Sequence, residues 1–209
     1  MSFAENETCF SHARVIPVLT PRSVESGVAV SRVLFEANLR LQEITLRTRA
    51  GLETIAALKR NLPDLIVGAG TVLTPDMGNA AIQAGAGFLV SPGTTEELLR
   101  FAVDCSVPFL PGVTTISEMM RVQALGCTVA KLFPAQLLGG AAFLRSLSGP
   151  LPAMKFCPTG GIDARLVPDY LKLGNVLAVG GSWMAPEELI AQNRLEDIRR
   201  LAEQAATLR

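Results

Sequence analysis

The chain has 209 residues, of which 49% are hydrophobic and 18% charged, a balance that excludes a disordered tail, a charged linker or a collagen-like rod. Nineteen basic residues face nineteen acidic ones, so the formal net charge is +0 and no surface for nucleic acid is expected. The length suits one well-buried domain, and residues 1–209 are read as one, since no linker, low-complexity tract or charge block interrupts them.

In chain order, short apolar, β-branched runs alternate with segments of helical period. After a short N-terminal helix comes the strand VIPVL (Val15 to Leu19), then a helix over Ser23 to Ala37 with Val24, Val28, Val30, Leu34 and Phe35 on roughly one face. LQEITLR (Leu41 to Arg47) precedes a helix over Leu52 to Arg60, and LIVGAGTV (Leu65 to Val72) one over Asp76 to Ala84. FLVSPG (Phe88 to Gly93) leads to Glu96 to Val103, and PFLPGV (Pro108 to Val113) to Ile116 to Ala124. VAKLFPA (Val129 to Ala135) is followed by Ala141 to Leu147, and MKFCPTG (Met154 to Gly160) by Arg165 to Leu171. VLAVGG (Val176 to Gly181) precedes a last helix over Glu187 to Thr207. Thr74 before Pro75, Thr94 or Thr95, Thr115 or Ser117, and Asp163 are the expected caps. Eight strand–helix units of even spacing predict an α/β chain folded as a (β/α)₈ TIM barrel; a doubly wound open sheet is the competing architecture.

Cys9, Cys105, Cys127 and Cys157 lie far apart, and His12 is the sole histidine, so neither a disulfide framework nor a zinc site is expected. Glu5 and Glu7 precede no apolar run, which argues against a secretory signal. The uncharged stretch from Met77 to Thr95 contains four glycines and Pro92, a poor membrane helix. The expectation is a soluble cytoplasmic protein with no membrane partner.

In such a barrel the active site lies at the C-terminal ends of the strands. Lys131 alone among the lysines stands inside an apolar strand, on the face of Val129 and Phe133. Desolvation favours a neutral amine over an ammonium, and a neutral amine attacks carbonyls to form a Schiff base. The alternative is an outward lysine whose stem lies under a helix. Glu43, Thr45 and Arg47 share a face too polar to be covered by helices. There a carboxylate can act as general base and a guanidinium can bind a substrate carboxylate, unless Glu43 and Arg47 form only a structural ion pair. Thr159, Gly160 and Gly161 follow the seventh strand, and Gly180, Gly181 and Ser182 end the eighth. Glycines admit an anion to backbone N–H groups, and a helix opening at Ser182 would favour negative charge, so a phosphate-bearing substrate is expected; simple turns are the alternative. Thr71 and Pro92 fall at the ends of the third and fourth strands, as site wall or as ordinary strand-end structure.

EITLRT, VGAGTVL, SPG, PFLPGV, KLFPA, FCPTGGI and VGGSWM, in this order and spacing, resemble the 2-keto-3-deoxy-6-phosphogluconate (KDPG) and 4-hydroxy-2-oxoglutarate (KHG) aldolases, from about Arg14 to Met184. The resemblance implies a class I aldolase of the Entner–Doudoroff pathway, homotrimeric, with no metal and no cofactor, cleaving a phosphorylated 2-keto acid to pyruvate and an aldehyde. It implies Lys131 as Schiff-base lysine and Glu43 as acid/base. Arg47 and Thr71 would bind the pyruvate carboxylate, Pro92, Phe133 and Thr159 would line the pocket, and Gly160, Gly161, Gly181 and Ser182 would hold phosphate. The chain departs from the family at Ala37-Asn38, where relatives carry two glycines, and at Gln136-Leu137, where many are more polar. Asn38 is expected to keep the left-handed turn. A phosphosugar isomerase or epimerase with Glu43 as base, and a non-catalytic barrel binding a phospho-acid, are the competing functions.

Overall fold

A computed structural model describes residue 3 and residues 5–208. Its elements run α1 (Asn6–Ser11), β1 (Val15–Leu19), α2 (Val24–Glu36), β2 (Leu41–Thr45), α3 (Ala50–Asn61), β3 (Ile66–Gly70), α4 (Pro75–Gln83), β4 (Leu89–Val90), α5 (Glu96–Asp104) and β5 (Phe109–Leu110). They continue with β6 (Gly112–Val113), α6 (Ile116–Ala124), β7 (Val129–Leu132), α7 (Gly140–Leu147), β8 (Lys155–Phe156), α8 (Val167–Leu171), β9 (Val179–Gly181), α9 (Glu187–Ala191) and α10 (Leu195–Ala206). All the paired strands are parallel, in a six-stranded order β5-β4-β3-β2-β1-β9 and a three-stranded order β6-β7-β8. The result is an α/β fold with a curled parallel sheet.

Several expected elements are shorter or divided, most of them where the backbone loses a donor or turns left-handed. PFLPGV gives two strands, because Pro111 has no N–H and β5 pairs with β4 while β6 pairs with β7. FLVSPG and MKFCPTG keep only Leu89–Val90 and Lys155–Phe156, ahead of Pro92 and Pro158. The helix expected over Glu187 to Thr207 is α9 and α10, separated where Asn193 takes φ 52°. Asp163 does not cap α8; its carboxylate accepts from the N–H groups of Arg165 and Leu166 in the preceding turn, so the helix starts at Val167. Asn38 does hold the left-handed turn after α2, at φ 69°.

The helix starts follow hydroxyl chemistry. Ser23, Thr74, Thr95 and Thr115 each accept from the backbone N–H three residues on. At α6 the box is reciprocal: Glu118 Oε2 accepts from the N–H groups of Thr114 and Thr115 at 2.8 and 2.7 Å and from the Thr115 hydroxyl at 3.0 Å.

Two apolar regions flank the sheet. Outward-facing residues such as Val67 and Ala69 pack beneath the helices, while Ile16, Leu41, Phe88, Val90, Leu110, Val129, Cys157 and Ala178 meet inside the curl. α1 fills the end of that interior where the strands begin: Phe10 packs edge-on against Phe88, centroids 5.3 Å apart, and the buried Asn6 amide donates to the Phe109 carbonyl at 2.6 Å. Polar chemistry is thereby confined to the opposite end. No helix of the described residues is long and apolar enough to cross a membrane.

Two outcomes test this account. Phe10 is fully buried, so Phe10→Ala should lower the unfolding free energy by about 3–5 kcal/mol in a urea titration. Partial burial pushes the Glu118 carboxyl up, but the Thr114 and Thr115 donors and nearby Arg121 outweigh it and hold it below its ordinary value. Its contribution is therefore complete above the ordinary carboxylate range and is lost as pH falls through the lowered value. Urea midpoints measured down the acid range should fall less steeply for Glu118→Gln.

Candidate active site

Lys131 and Glu43 stand on strands of different sheets and meet inside the curl. β7 places Lys131 opposite Gly112, and β2 places Glu43 opposite Val18 on one side and Gly68 on the other. The Lys131 Nζ donates to Glu43 Oε1 at 3.2 Å and Oε2 at 3.4 Å, and both side chains are at least nine-tenths buried. The Lys131 ammonium also lies 5.6 Å from the centre of the Phe133 ring. Lys131 thus points inward, which excludes the outward alternative. Glu43 pairs with Lys131 rather than with Arg47, which excludes the ion pair between two positions of β2 and its following turn.

Cys157 is also buried near this pair. Burial pushes its thiol up to about 12, with the Ala178 backbone and Lys131 pulling it down and Cys9 and Glu43 pushing it further up, all by smaller amounts. It therefore remains a thiol at neutral pH and contributes no thiolate. All four cysteines are free.

Around the pair, each strand end brings one expected group. Arg47 is exposed in the turn after β2, and its Nε donates to Thr71 Oγ1 at 3.1 Å. Thr71 takes φ 62°, a left-handed conformation uncommon for a branched residue, and this directs its hydroxyl to Arg47. Pro92 lies against Gly112, the register partner of Lys131; a Cβ at Gly112 would overlap the Pro92 carbonyl. Ser91 Oγ accepts from the Gly112 N–H at 3.2 Å and locks that approach. Thr159 is buried and bridges Gly180, and its hydroxyl fills the space a side chain at Gly180 would need. Gly160 and Gly161 turn left-handed at φ 100° and 74°, Gly160 against the Phe133 ring and Gly161 against Gln136.

Ser182 does not open a helix. It begins a turn in which the Ala185 N–H donates to its carbonyl, and the next helix starts five residues later at Glu187. Gly181 just before it packs against the Trp183 ring. Ser182 and Arg47 line one cavity of about 310 Å³ with Val18, Leu19, Thr20 and Glu187. Thr20 was missed in the sequence; its hydroxyl is 2.9 Å from that of Thr45. Its position as the polar residue directly after an apolar strand was the available signal. Gln136 accepts from the Tyr170 hydroxyl at 2.8 Å beside the Gly161 turn, whereas Leu137 projects into solvent. Of the two departures after the sixth expected strand, Gln136 is therefore the one built into the rim.

The arrangement can move a proton between a carboxylate and an amine in a water-poor interior, with an exposed guanidinium at the end of the same strand. Removing one partner leaves the other buried and unpaired. Glu43→Ala should destabilise the protein by about 3–5 kcal/mol in urea titrations, whereas Lys131→Met/Glu43→Leu should lose clearly less.

Comparison with known proteins adds the lineage. A family model for KDPG and KHG aldolase matches residues 7–201. The 2-dehydro-3-deoxy-phosphogluconate aldolase of Pseudomonas aeruginosa is 44% identical over 202 residues, covering 97% of this chain and 92% of that protein. The crystal structure of KDPG aldolase from Legionella pneumophila, with pyruvate captured at low pH as a covalent carbinolamine intermediate, is 38% identical with a TM-score of 0.94, over 97% of this chain and 98% of that one. The 2-keto-3-deoxy-6-phosphogluconate aldolase of Zymomonas mobilis with 3-phosphoglycerate is 35% identical with a TM-score of 0.93, over 99% and 97%. With the buried lysine and carboxylate at its centre and matches of this extent on either side of them, the chain belongs to the KDPG and KHG aldolase family.

Proposed function

We propose that this protein is a class I aldolase that reversibly cleaves KDPG to pyruvate and D-glyceraldehyde 3-phosphate, and KHG to pyruvate and glyoxylate. The observation that carries the reading is the buried hydrogen-bonded pair of Lys131 and Glu43. The pyruvate carbinolamine of the Legionella relative and the 3-phosphoglycerate of the Zymomonas relative support the two halves of the substrate.

Glu43 accepts a proton from the Lys131 ammonium, and the neutral amine adds to the C2 carbonyl. Glu43 then returns a proton to the carbinolamine hydroxyl, which leaves as water, giving the iminium. Through a water molecule Glu43 takes the C4 hydroxyl proton; the C3–C4 bond breaks, its electron pair flows into the iminium, and the aldehyde departs. Glu43 returns that proton to C3 of the resulting enamine, and water hydrolyses the iminium to pyruvate and free Lys131. The terminal N–H groups of Arg47 and the Thr71 hydroxyl proton hold the pyruvate carboxylate, because the Arg47 Nε donates to Thr71 and leaves those donors available. Pro92, Phe133 and Thr159 line the keto-acid pocket. Gly160, Gly161, Gly181 and Ser182 receive the phosphate through backbone and hydroxyl donors, without a helix N-terminus at Ser182.

The scaffold in this reading is a single (β/α)₈ barrel, residues 1–209. Supporting it are the one-residue gap between β5 and β6 and the bridges Phe156 to Val176 and Thr159 to Gly180, which join the neighbourhoods of β8 and β9. Assembly is as a homotrimer, for which the apolar groove of about 560 Å³ along Leu99, Val103, Ala124 and Leu125 offers surface.

An isomerase or a non-catalytic phospho-acid binder gives Lys131 no reason to be buried against Glu43. Incubation with pyruvate and borohydride separates the readings. A covalent adduct on Lys131, located by peptide mass spectrometry and lost in Lys131→Met, is the expected result. A folded wild-type protein that forms no adduct withdraws the aldolase.

A further inference from the structure

β3 carries Gly68-Ala69-Gly70, and its register sets Gly68 beside Glu43 and Gly70 beside Thr45. Ala69 and Val67 pack outward beneath the helices, so alternation turns both glycines towards the interior. Neither glycine leaves an empty space. The Phe88 ring occupies the position of a Gly68 side chain, and the Glu43 carboxylate occupies that of a Gly70 side chain. A Cβ at Gly70 would overlap Glu43 Oε1 and stand 2.6 Å from its Cδ and Cγ, much closer than carbon atoms pack. Glu43 has no room to retreat in place: it is 4% exposed, and Lys131 lies on its carboxylate. Gly70 itself lies outside the left-handed region, so an alanine fits the backbone, and the atoms nearest its methyl are all in the side chain of Glu43.

We infer that Gly70 is a positioning residue of the active site: the side chain it lacks is the space in which Glu43 lies across β3 to reach Lys131. The inference rests on the aldolase reading for its catalytic consequence and on packing alone for the contact. With a methyl at position 70 the carboxylate is displaced from the amine, while Arg47 and the phosphate loops keep their places. Proton transfer suffers before substrate binding does.

The experiment compares Gly70→Ala in the wild-type protein and in the Lys131→Met/Glu43→Ala background, with Gly149→Ala as control, since a Cβ there meets nothing within 4 Å. Gly70→Ala should fold and lose about 100-fold in kcat, the effect of misplacing a reacting group by about an ångström. KM should change far less, and the pH–rate profile should shift. Alanine at position 43 removes Cγ, Cδ and the carboxylate, the atoms the methyl would meet, and methionine at position 131 leaves no lysine unpaired. Gly70→Ala should therefore lower the urea midpoint of the wild type and leave that of the Lys131→Met/Glu43→Ala protein nearly unchanged, whereas independent sites would give equal losses. A folded Gly70→Ala enzyme with wild-type kcat and pH profile overturns the inference, as does an equal stability loss in the two backgrounds. If Gly70→Ala does not fold, the Lys131→Met/Glu43→Ala background decides: a folded triple variant supports the contact, and a triple variant that does not fold where its background does places the clash elsewhere and overturns it. A wild-type protein that traps no pyruvate defeats the aldolase reading instead; the contact is then judged by whether truncating Glu43 relieves the destabilisation caused by Gly70→Ala.

Discussion

A lysine and a carboxylate removed from water inside an apolar shell form the constraint on which this structure turns. Each charge alone would be strongly disfavoured there, and only the other, at 3.2 Å, compensates for the lost hydration. The pair therefore requires that β2 and β7, 88 residues apart between the two positions, be held at fixed separation and with their inward faces opposed. Much of the surrounding sequence serves that requirement. Gly112 lets Pro92 approach the strand beside Lys131, Gly68 admits Phe88 beneath the pair, and the ring of Phe133 covers the ammonium from the side.

The interior is graded from dry to polar along the strands. At the end where they begin, α1 inserts Phe10 against Phe88 and ties Asn6 to Phe109. At the other end Arg47, Thr71, Thr20 and Ser182 are accessible to a ligand. A charged pair at the boundary between these zones can exchange protons with a bound substrate while remaining shielded from bulk water, the condition that a nucleophilic amine needs. The same apolar layer keeps Cys157 a thiol, so strong nucleophilicity is confined to one atom.

The rim is braced by side chains from neighbouring segments. The Gly160-Gly161 turn rests on Phe133 and Gln136, and Gln136 is fixed by Tyr170. The loop expected to receive phosphate is thus braced by a side chain from the segment after β7. Across the cavity, Glu187 is engaged by Arg22 at 2.8 Å, which neutralises a carboxylate facing the place where an anionic substrate would enter.

Local chemistry by itself determined the alternation of strands and helices, the caps at Thr74, Thr95 and Thr115, the left-handed turn at Asn38, and the inward face shared by Glu43 and Thr45. Those features depend on neighbours within a few residues, so spacing reveals them. The breaks at Pro111 and Asn193 were partly visible as residue types, but the extent of each strand depended on which partner supplied the next hydrogen bond. Only the tertiary structure decided that Glu43 pairs with Lys131 and Arg47 with Thr71, that Ser182 starts a turn, and that Thr20 joins the site. It also decided what the glycines of β3 are for, because a missing side chain has no signature of its own: its meaning lies in the distant group that fills the space.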